Sequence, residues 1–333
     1  NELLFHGFLK CNGIRYTQPG MPALSVPVAQ VDFQPSKLSI DNANLIFGKS
    51  DFAVSGSMRN PLAVMSGNSL VEMNLTHRSE KIDADELMGV SDAPSASAPT
   101  SINTDLFDRL SVDFNSTIRE LNFETYSCTN IRGSGQLKGN ALRIAPVEAT
   151  VNGSTLTGNV TFENILDFSL DTFPLRGIVN FESTMIDLDK LMGTGGQIAA
   201  SSNGSFALPS GFDLDIRGRA NKVIYSPLQL NEVLLSSKLS GQRFIMEKIT
   251  AKAAGGQMTL QGLFETPPGQ SPVFDLKYDI NRLEFKKAFE SFSTLSVIAP
   301  LFRYIEGFFN SSLIFQGKLA PSGLPDFNSL SVN

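Results

Sequence analysis

Closely spaced aspartates are the residues of this chain that come nearest to supporting chemistry. An Asp-x-Asp pair occurs three times, at Asp83/Asp85, Asp187/Asp189 and Asp213/Asp215. Such pairs could hold a divalent cation in a metal-dependent transferase. The first two pairs, however, occupy equivalent places in a repeat whose third copy carries Glu284 and Lys286 instead. Because acidic residues favour the first turn of a helix, we interpret the leading residue of each copy as a helix N-cap.

Other catalytic signatures are missing from the sequence. The chain has two histidines, His6 and His77, and neither lies near a nucleophile motif such as Gly-x-Ser-x-Gly. The "GTGGQ" stretch at 193–197 lacks the Lys-Ser/Thr of a phosphate-binding loop. Cys11 and Cys128 define neither a disulfide framework nor a metal site, and we interpret them as small apolar strand residues. We therefore expect a protein that is not an enzyme and uses no cofactor or metal.

The composition narrows the possible partners. Among the 333 residues 41% are hydrophobic, 18% are charged and the net charge is −6, without a Lys/Arg cluster that could follow a phosphate backbone, so nucleic-acid binding is not expected. The chain has 25 Phe, five Tyr and no Trp. It therefore lacks the flat platforms typical of sugar-binding surfaces, whereas phenylalanine suits packing or contact with acyl chains. The apolar run at 295–302 is too short to span a bilayer.

The elements that would position any site are strands. In "ALRIAPVEATVNGSTLTGNVTF" (141–162) apolar residues recur at nearly every second position, and Asn152-Gly153-Ser154 separates two such runs. This pattern predicts a hairpin with one apolar and one polar face. A single sheet leaves such an apolar face without a cover.

The hairpin occurs three times along the chain. Its copies are "KLSIDNANLIFGKSDFAVSG", 104 residues upstream, and "RFIMEKITAKAAGGQMTLQG", 102 residues downstream. Gly48, Gly153 and Gly255 fall in the same turn, where a tight hairpin needs positive φ. We predict that the aligned apolar residues line one continuous face: Leu38, Ile40, Leu45, Phe47, Leu142, Ile144, Val147, Ala149, Val151, Leu156, Phe244, Met246, Ile249, Ala251 and Met258. Small residues on this face, such as Ala149, Ala253 and Gly158, would leave room in a groove or would simply be tight packing points.

These repeats predict the architecture. We expect a mainly β protein, an elongated, twisted and curled antiparallel sheet of about three tandem units of roughly 100 residues. The predicted units are 1–107, 108–211 and 212–333, the last including the start of a further, truncated unit. A Ser/Ala/Pro-rich stretch at 90–104 is predicted to be a loop.

Helices play a minor part in the pattern. "KIDADELMG" (81–89), "MIDLDKLMG" (185–193) and "RLEFKKAFE" (282–290) each predict a strand end followed by a short helix. One longer amphipathic helix is predicted over 285–309, and Pro300 should kink or restart it. Its apolar residues could cap the sheet or touch a membrane surface: Phe285, Phe289, Phe292, Leu295, Phe302 and Ile305.

The repeated hairpins and the "IDADELMG"/"IDLDKLMG" element resemble the AsmA family of bacterial envelope proteins, whose C-terminal region carries strings of "L-x-I-x-x-x-x-A-x-x-x-x-G-x-x-x-x-x-G". The resemblance covers most of the chain and implies a curled sheet with an apolar groove, similar to bridge-like lipid transfer proteins. It also implies a periplasmic location, with an inner-membrane anchor supplied by an N-terminal segment that this chain lacks. No catalytic residue is implied.

Our leading hypothesis is a non-enzymatic protein that binds or conducts phospholipid, or another acyl-chain lipid, between the inner and outer membranes. A related alternative is a scaffold that assists outer-membrane protein assembly by strand addition. Other classes are a surface adhesin or glycan-binding repeat protein and a β-rich hydrolase or lyase. Whether the sheet closes as a sandwich or leaves an open groove decides what covers the apolar face.

Overall fold

Strands dominate the molecule. The computed structural model describes residues 6–18, 21–66, 69–89, 108–123, 126–166, 174–191, 208, 210–291, 300–320 and 326–332. Within these ranges most residues lie in strands, and every helix is short. The prediction of a mainly β protein, a twisted and curled sheet with short helices, is confirmed.

The first compact unit comprises Asn1–Val151 and Asn159–Leu166. Its first eight strands are β1 (Gly7–Tyr16), β2 (Leu24–Gln34), β3 (Lys37–Phe47), β4 (Ser50–Arg59), β5 (Val71–Asp83), β6 (Leu110–Phe123), β7 (Tyr126–Lys138) and β8 (Ala141–Val151). Each pairs with the next strand along the chain. The short helices of this unit include α1 (Ala63–Ser66) and α2 (Ala84–Gly89). Strand β9 (Ser154–Phe162) contributes residues to both units.

The second compact unit comprises Asn152–Gly158 and Asp167–Asn333. Its strands after β9 are β10 (Leu175–Asp187), β11 (Phe212–Tyr225), β12 (Leu228–Ser240), β13 (Arg243–Ala253), β14 (Gly256–Glu265), β15 (Val273–Glu284), β16 (Phe308–Lys318) and β17 (Ser331–Val332). They also pair in chain order. The described residues of this unit include the helices α3 (Leu188–Leu191) and α4 (Phe285–Ser291) and the 3-10 helices Pro300–Tyr304 and Phe327–Ser329.

The strand pairing is mixed, whereas the sequence predicted an antiparallel sheet. Strands β5 and β6 pair in parallel, with Val71 opposite Leu110, and β10 and β11 do the same, with Leu175 opposite Phe212. Parallel neighbours need a crossover connection rather than a hairpin. Alternation along a strand is the same in both arrangements, so the apolar pattern could not distinguish them.

Strands β6 and β11, the second members of the two parallel pairs, begin at Leu110 and Phe212, next to the sequence-predicted unit edges at 108 and 212. The division into two compact units follows internal contacts and is separate from these edges. The predicted loop at 90–104 lies outside the described residues.

The long C-terminal helix predicted over 285–309 is wrong for its last residues. The helix begins at Phe285 as expected and α4 runs to Ser291, while 292–299, including Phe292 and Leu295, lie outside the described residues. A 3-10 helix covers Pro300–Tyr304, and the chain is already in strand β16 from Phe308. Proline lacks the N–H donor that a continuing helix needs, which accounts for a new start at Pro300.

Fully buried apolar side chains gather where the short helices meet the strand ends. One cluster in the second unit consists of Ala253, Met258, Leu283 and Ala288, the last of these on α4. Another consists of Ile186, Ala220 and Val223, packed against Leu188 and Leu191 of α3. In these two clusters the short helices therefore cover the ends of the strands rather than the middle of the sheet.

Candidate functional site

In the first unit, directly paired residues form apolar rows that cross the strands. Because paired residues lie on the same face of a sheet, these rows define one surface, here called the first apolar face. The rows are Leu38–Met58–Met73–Val112–Leu137–Leu142, then Ile40–Gly56–Leu75–Phe114–Gly135–Ile144, then Ala43–Val54–His77–Ser116–Gly133–Val147. These rows contain no Asp, Glu, Lys or Arg.

The second unit repeats the arrangement. Its rows, here called the second apolar face, are Leu214–Leu239–Phe244–Phe264–Phe274–Gly317, then Ile216–Ser237–Met246–Gly262–Leu276–Phe315, then Gly218–Leu235–Ile249–Leu260–Tyr278–Leu313. They too are free of charged residues. The adjacent positions on the other face carry the charges, for example Arg217 and Lys277.

Both faces are only partly covered by protein. Nearly all residues of the rows are half-buried; Val112, Leu214, Met246 and Ser237 are the buried ones. The described strands of each unit belong to one curled, unclosed sheet in which each strand pairs with its neighbours, rather than to two sheets packed as a sandwich.

Most of the predicted groove residues lie in these rows or in line with them. Leu38, Ile40, Leu142, Ile144 and Val147 belong to the first face, and Phe244, Met246 and Ile249 belong to the second. The other predicted groove residues lie on the same faces, because they alternate along their strands with residues of the rows. They are Leu45, paired with Phe52; Phe47, paired with Ser50; Ala149; Val151, paired with Cys128; and Ala251 and Met258, paired with each other. Leu156 packs against the buried cluster of Ile186, Ala220 and Val223.

A β-bulge explains a spacing of three in the repeated pattern. Leu38, Ile40 and Ala43 share a face although the last two are three residues apart, because the register shifts between Ile40 and Ala43. The same shift lies between Ile144 and Val147 and between Met246 and Ile249. A bulge adds one residue to one strand, bends it and increases its twist. The spacing of three residues therefore marks the position of the bulge in each repeat.

Glycine marks the strand opposite the bulge. A Cβ placed on Gly56, Gly158 or Gly262 would overlap the backbone carbonyl of the adjacent strand, at Asn74, Asn180 or Asp275. The interpretation of Gly158 as a residue that leaves room in a groove is therefore wrong. Gly158 is instead a tight packing point. Gly56 and Gly262 are equally tight, and in addition they have a positive φ.

Polar side chains on the apolar faces are mostly satisfied locally. The Ser237 hydroxyl donates to the carbonyl oxygen of Ile216 at 3.5 Å, and Ser183 donates to that of Thr155 at 2.8 Å. His77 is the exception. Its Nδ1 lies 2.8 Å from the Ser116 Oγ, while its Nε2 is buried without a partner among the described residues. Burial lowers the pKa of this imidazole, and nearby Asp51 acts weakly in the opposite direction.

The Asp-x-Asp pairs have structural roles. Asp83 Oδ1 accepts a hydrogen bond from the Glu86 N–H at 3.0 Å, and Asp187 Oδ1 accepts one from the Lys190 N–H at 3.1 Å. The N-cap prediction for both residues is confirmed. These bonds lower the pKa of both carboxyl groups, aided by Lys49 beside Asp83 and by Lys190 beside Asp187.

Three further carboxylates of these motifs also have partners. In the third repeat Glu284 forms an ion pair with Lys287 at 2.7 Å. Asp189 Oδ2 accepts from the Ser226 N–H at 3.0 Å, and Asp215 lies 3.5 Å from Lys238 Nζ. Across the described ranges, no group of three or more His, Cys, Asp or Glu residues is placed to hold a metal ion.

The other features singled out in the sequence point to no additional site among the described residues. Cys11 and Cys128 are free and partly buried, as expected for small strand residues. The "GTGGQ" stretch lies outside the described residues. In the part of the chain that the structure describes, no helix is long and apolar enough to cross a bilayer.

Comparison with known proteins gives no match: no family model fits the sequence, no curated protein is significantly similar to it, and no solved structure is significantly similar to its fold. The two apolar faces therefore have to be interpreted from their own chemistry.

Proposed function

We propose that this chain is a non-enzymatic, periplasmic protein of the AsmA type that binds phospholipid acyl chains along its apolar faces and conducts lipid between membranes. One observation carries the proposal. Uncharged rows of Leu, Ile, Val, Met and Phe cross at least six strands in each unit while remaining only half-buried. Such a surface in contact with water is unfavourable, and a cover of lipid methylenes would remove that cost.

The chemistry of the faces favours acyl chains over other ligands. Each buried methylene contributes about 0.8 kcal/mol, so a chain of ordinary length would bind well without any polar anchor. The contact is non-directional, and a surface without charges offers no fixed headgroup site that would hold a lipid in one place. These properties suit movement along the face better than tight binding at one point.

A pair of adjacent leucines provides a direct test. Leu235 lies in a row of the second apolar face, whereas its neighbour Leu234 points to the opposite face and is 52% exposed. Lipid extracted from the purified chain is measured by mass spectrometry, together with lipid transfer between vesicles. We expect Leu235→Asp to lose the lipid bound to the second apolar face and to transfer less lipid, and Leu234→Asp to keep the wild-type values of both.

A second variant separates loss of binding from loss of folding. Leu235→Trp keeps the surface apolar but fills the space beside it, and it should also reduce bound lipid. Leu234→Trp is its matched control. Wild-type protein that carries no lipid and transfers none, with native circular dichroism, would refute the proposal.

A polar hollow in the first unit favours a different candidate, a glycan-binding protein. The hollow has a volume of about 670 Å³, and its lining combines amide and hydroxyl side chains such as Asn74, Thr76 and Asn115 with the charged Asp113 and Arg143. Several of its groups already bond to each other, such as Ser134 Oγ to Asn115 Oδ1 at 2.7 Å. Binding on a glycan array that is lost in Asn115→Ala, but kept in Leu235→Asp, would favour this candidate over lipid binding.

A further inference from the structure

Strand β1 has one free edge. It pairs with β2 on one side, with Gly7 opposite Phe33 and Tyr16 opposite Leu24. The sheet is unclosed, and among the described residues of the first unit no second strand pairs with β1. An edge strand presents backbone N–H and C=O groups that can pair with a further strand.

The repeats identify β1 as the first strand of a repeat, equivalent to β6 and β11. Leu9, Phe114 and Ile216 occupy the same place in these three strands. Each is connected, through one residue of the second strand of its repeat, to an aligned residue of the third strand: Ile40, Ile144 and Met246, respectively. The first apolar face therefore extends through β2 to Leu9 at the edge.

The other two first strands are covered on the corresponding edge. Strand β5 runs parallel to β6 with Leu75 opposite Phe114, and β10 runs parallel to β11 with Val179 opposite Ile216. In both cases the covering strand is the last strand of the preceding repeat. The direction and the register are the same in both pairs, so the first strand of a repeat has a defined kind of neighbour.

The exposure of β1 reflects the absence of such a neighbour. Leu9 is 52% exposed, whereas the equivalent Phe114 and Ile216 are half-buried. Further along the strand, Ile14 is 49% exposed and Tyr16 is 56% exposed. Burial of these apolar side chains by an added strand would be favourable.

Strand β1 lacks common features that prevent pairing at an edge. Its ten residues contain no proline, and its charged residues, Lys10 and Arg15, lie on the polar face. Gly13 has a positive φ and interrupts the pairing with β2. The pairing of β5 with β6 contains a similar interruption between Ser79 and Lys81, so such an irregularity is compatible with a parallel neighbour.

From this arrangement we infer that the free edge of β1 binds the last strand of a further repeat of this kind, added parallel to β1 as β5 is added to β6. The register of β5 and β6 places the residue equivalent to Leu75 opposite Leu9. The added strand would continue the first apolar face. A second copy of the chain offers no such strand, because β5, β10 and β15 are each paired on both edges.

A peptide with the sequence of β5, residues 71–83, is the probe for this inference. Its binding to the full chain is measured by fluorescence anisotropy. We expect saturable binding that is about tenfold weaker for the Leu75→Asp peptide, because this residue would lie on the apolar face. The Thr76→Asp peptide carries the same charge on the opposite face and should bind like the unmodified peptide.

Variants of β1 test the same contact from the other side. Leu9→Ser should weaken binding of the unmodified peptide about tenfold. Phe8→Ser is the matched control, because Phe8 is 72% exposed and lies opposite Asp32 on the polar face. It should bind the peptide as the wild type does, and circular dichroism checks that both variants are folded.

Photo-cross-linking determines the direction of the added strand. Lys81 lies opposite Glu120, six residues beyond the pair of Leu75 and Phe114. In a parallel arrangement, a photoreactive residue at peptide position 75 should therefore label the chain near Leu9, and one at position 81 should label it near residue 15. An antiparallel strand would reverse the order of the two labels.

Four outcomes would overturn the inference. They are failure of the peptide to bind, equal binding of the two aspartate peptides, cross-links in the reversed order, and a wild-type dimer that Leu9→Ser abolishes. The dimer would assign the edge to a second copy of the chain. The inference does not depend on lipid binding, so a chain that binds the peptide but carries no lipid would refute the proposed function alone.

Discussion

At the scale of single residues, one position distinguishes the repeats chemically. His77, Phe181 and Tyr278 occupy equivalent places on the last strand of each repeat, and each places a ring on an apolar face. Tyr278 donates its hydroxyl to Met258 Sδ at 3.4 Å, and burial raises its pKa to about 12. Phe181 lies over Gly218. The His77 ring instead bonds to Ser116 and leaves its Nε2 without a partner among the described residues. Of the three rings, His77 therefore contributes least to the stability of the fold.

The second repeat suggests how to repair this position. His77→Phe with Ser116→Gly copies the pair Phe181/Gly218 and removes a buried polar atom without a partner. We expect the free energy of unfolding at neutral pH to rise by about 1 kcal/mol, because an unsatisfied buried group is costly. Chemical denaturation of the double variant and the wild type measures this difference. A lower stability than the wild type would contradict the equivalence of the two positions.

The same variant should change the pH dependence of stability. The pKa of His77 in the folded state is below its ordinary value of 6.5. At higher pH both states are neutral. As pH falls below that value the unfolded chain takes up a proton first, so folding stability declines until the folded imidazole is protonated as well. The loss of Tm between pH 7 and pH 5 should therefore be smaller in the double variant. His77→Gln, which has no ionisable group, should share this reduced pH dependence.

At the scale of elements, the bulge in β3 has a consequence that deletions can test. Leu38, Ile40, Ala43, Leu45 and Phe47 lie on one face only because one extra residue lies between Ile40 and Ala43. Asp41 is the residue that the pairing with β2 passes over. Deleting Asp41 leaves strict alternation, with all five residues still on the apolar face. We expect this variant to fold with a modest decrease in Tm.

Deleting Asn44 is the matched control, because it removes one residue from the same strand outside the bulge. It turns Leu45 and Phe47 to the polar face, at a cost on the order of 3 kcal/mol or more in lost burial. Thermal unfolding and the soluble yield compare the two deletions. Equal damage from both would show that the bulge, rather than the face of the side chains, determines the stability of this strand.

The sequence predicted the elements well where local chemistry determines them. Alternation predicted the hairpins, and the positive φ of Gly48, Gly153 and Gly255 agrees with the predicted turns. Capping chemistry predicted the helices that begin after Asp83 and Asp187. The parallel pairing of β5 with β6 and of β10 with β11 was not predicted, since it depends on contacts between distant segments that leave no trace in strand periodicity.

The candidate site was predictable to a similar depth. The spacing of three between Ile40 and Ala43, repeated at Ile144 and Val147, was available in the sequence as a bulge signal. The surroundings of Ile305 were not predictable from the pattern, because helical periodicity over 285–309 assigned Phe302 and Ile305 to one stripe. In the structure Phe302 packs inward, whereas Ile305 is exposed, because the 3-10 helix ends at Tyr304 and Ile305 lies beyond it.

At the scale of the whole molecule, charge constrains how the chain meets a membrane. The net charge of −6 opposes approach to an anionic bilayer. Binding of acyl chains by the uncharged rows does not depend on that charge, so added salt should leave bound acyl chains in place.

The presence of an apolar face in each compact unit leads to a prediction about lipid capacity. Leu75 lies in a row of the first face, and Leu235 in a row of the second. Because each unit presents its own uncharged surface, Leu75→Asp or Leu235→Asp alone should lower the lipid bound per chain by about half, and the two together should remove nearly all of it. Lipid phosphate per mole of purified protein measures the effect.

The controls for this prediction place the same charge one residue away. Thr76→Asp and Leu234→Asp put it on the opposite face of the same strands, and the combined control should keep the wild-type lipid content. If one face variant alone removed all lipid while its circular dichroism stayed native, the bound lipid would belong to a single face. The uncharged rows of the other unit would then need a different cover, and binding along both faces would be refuted.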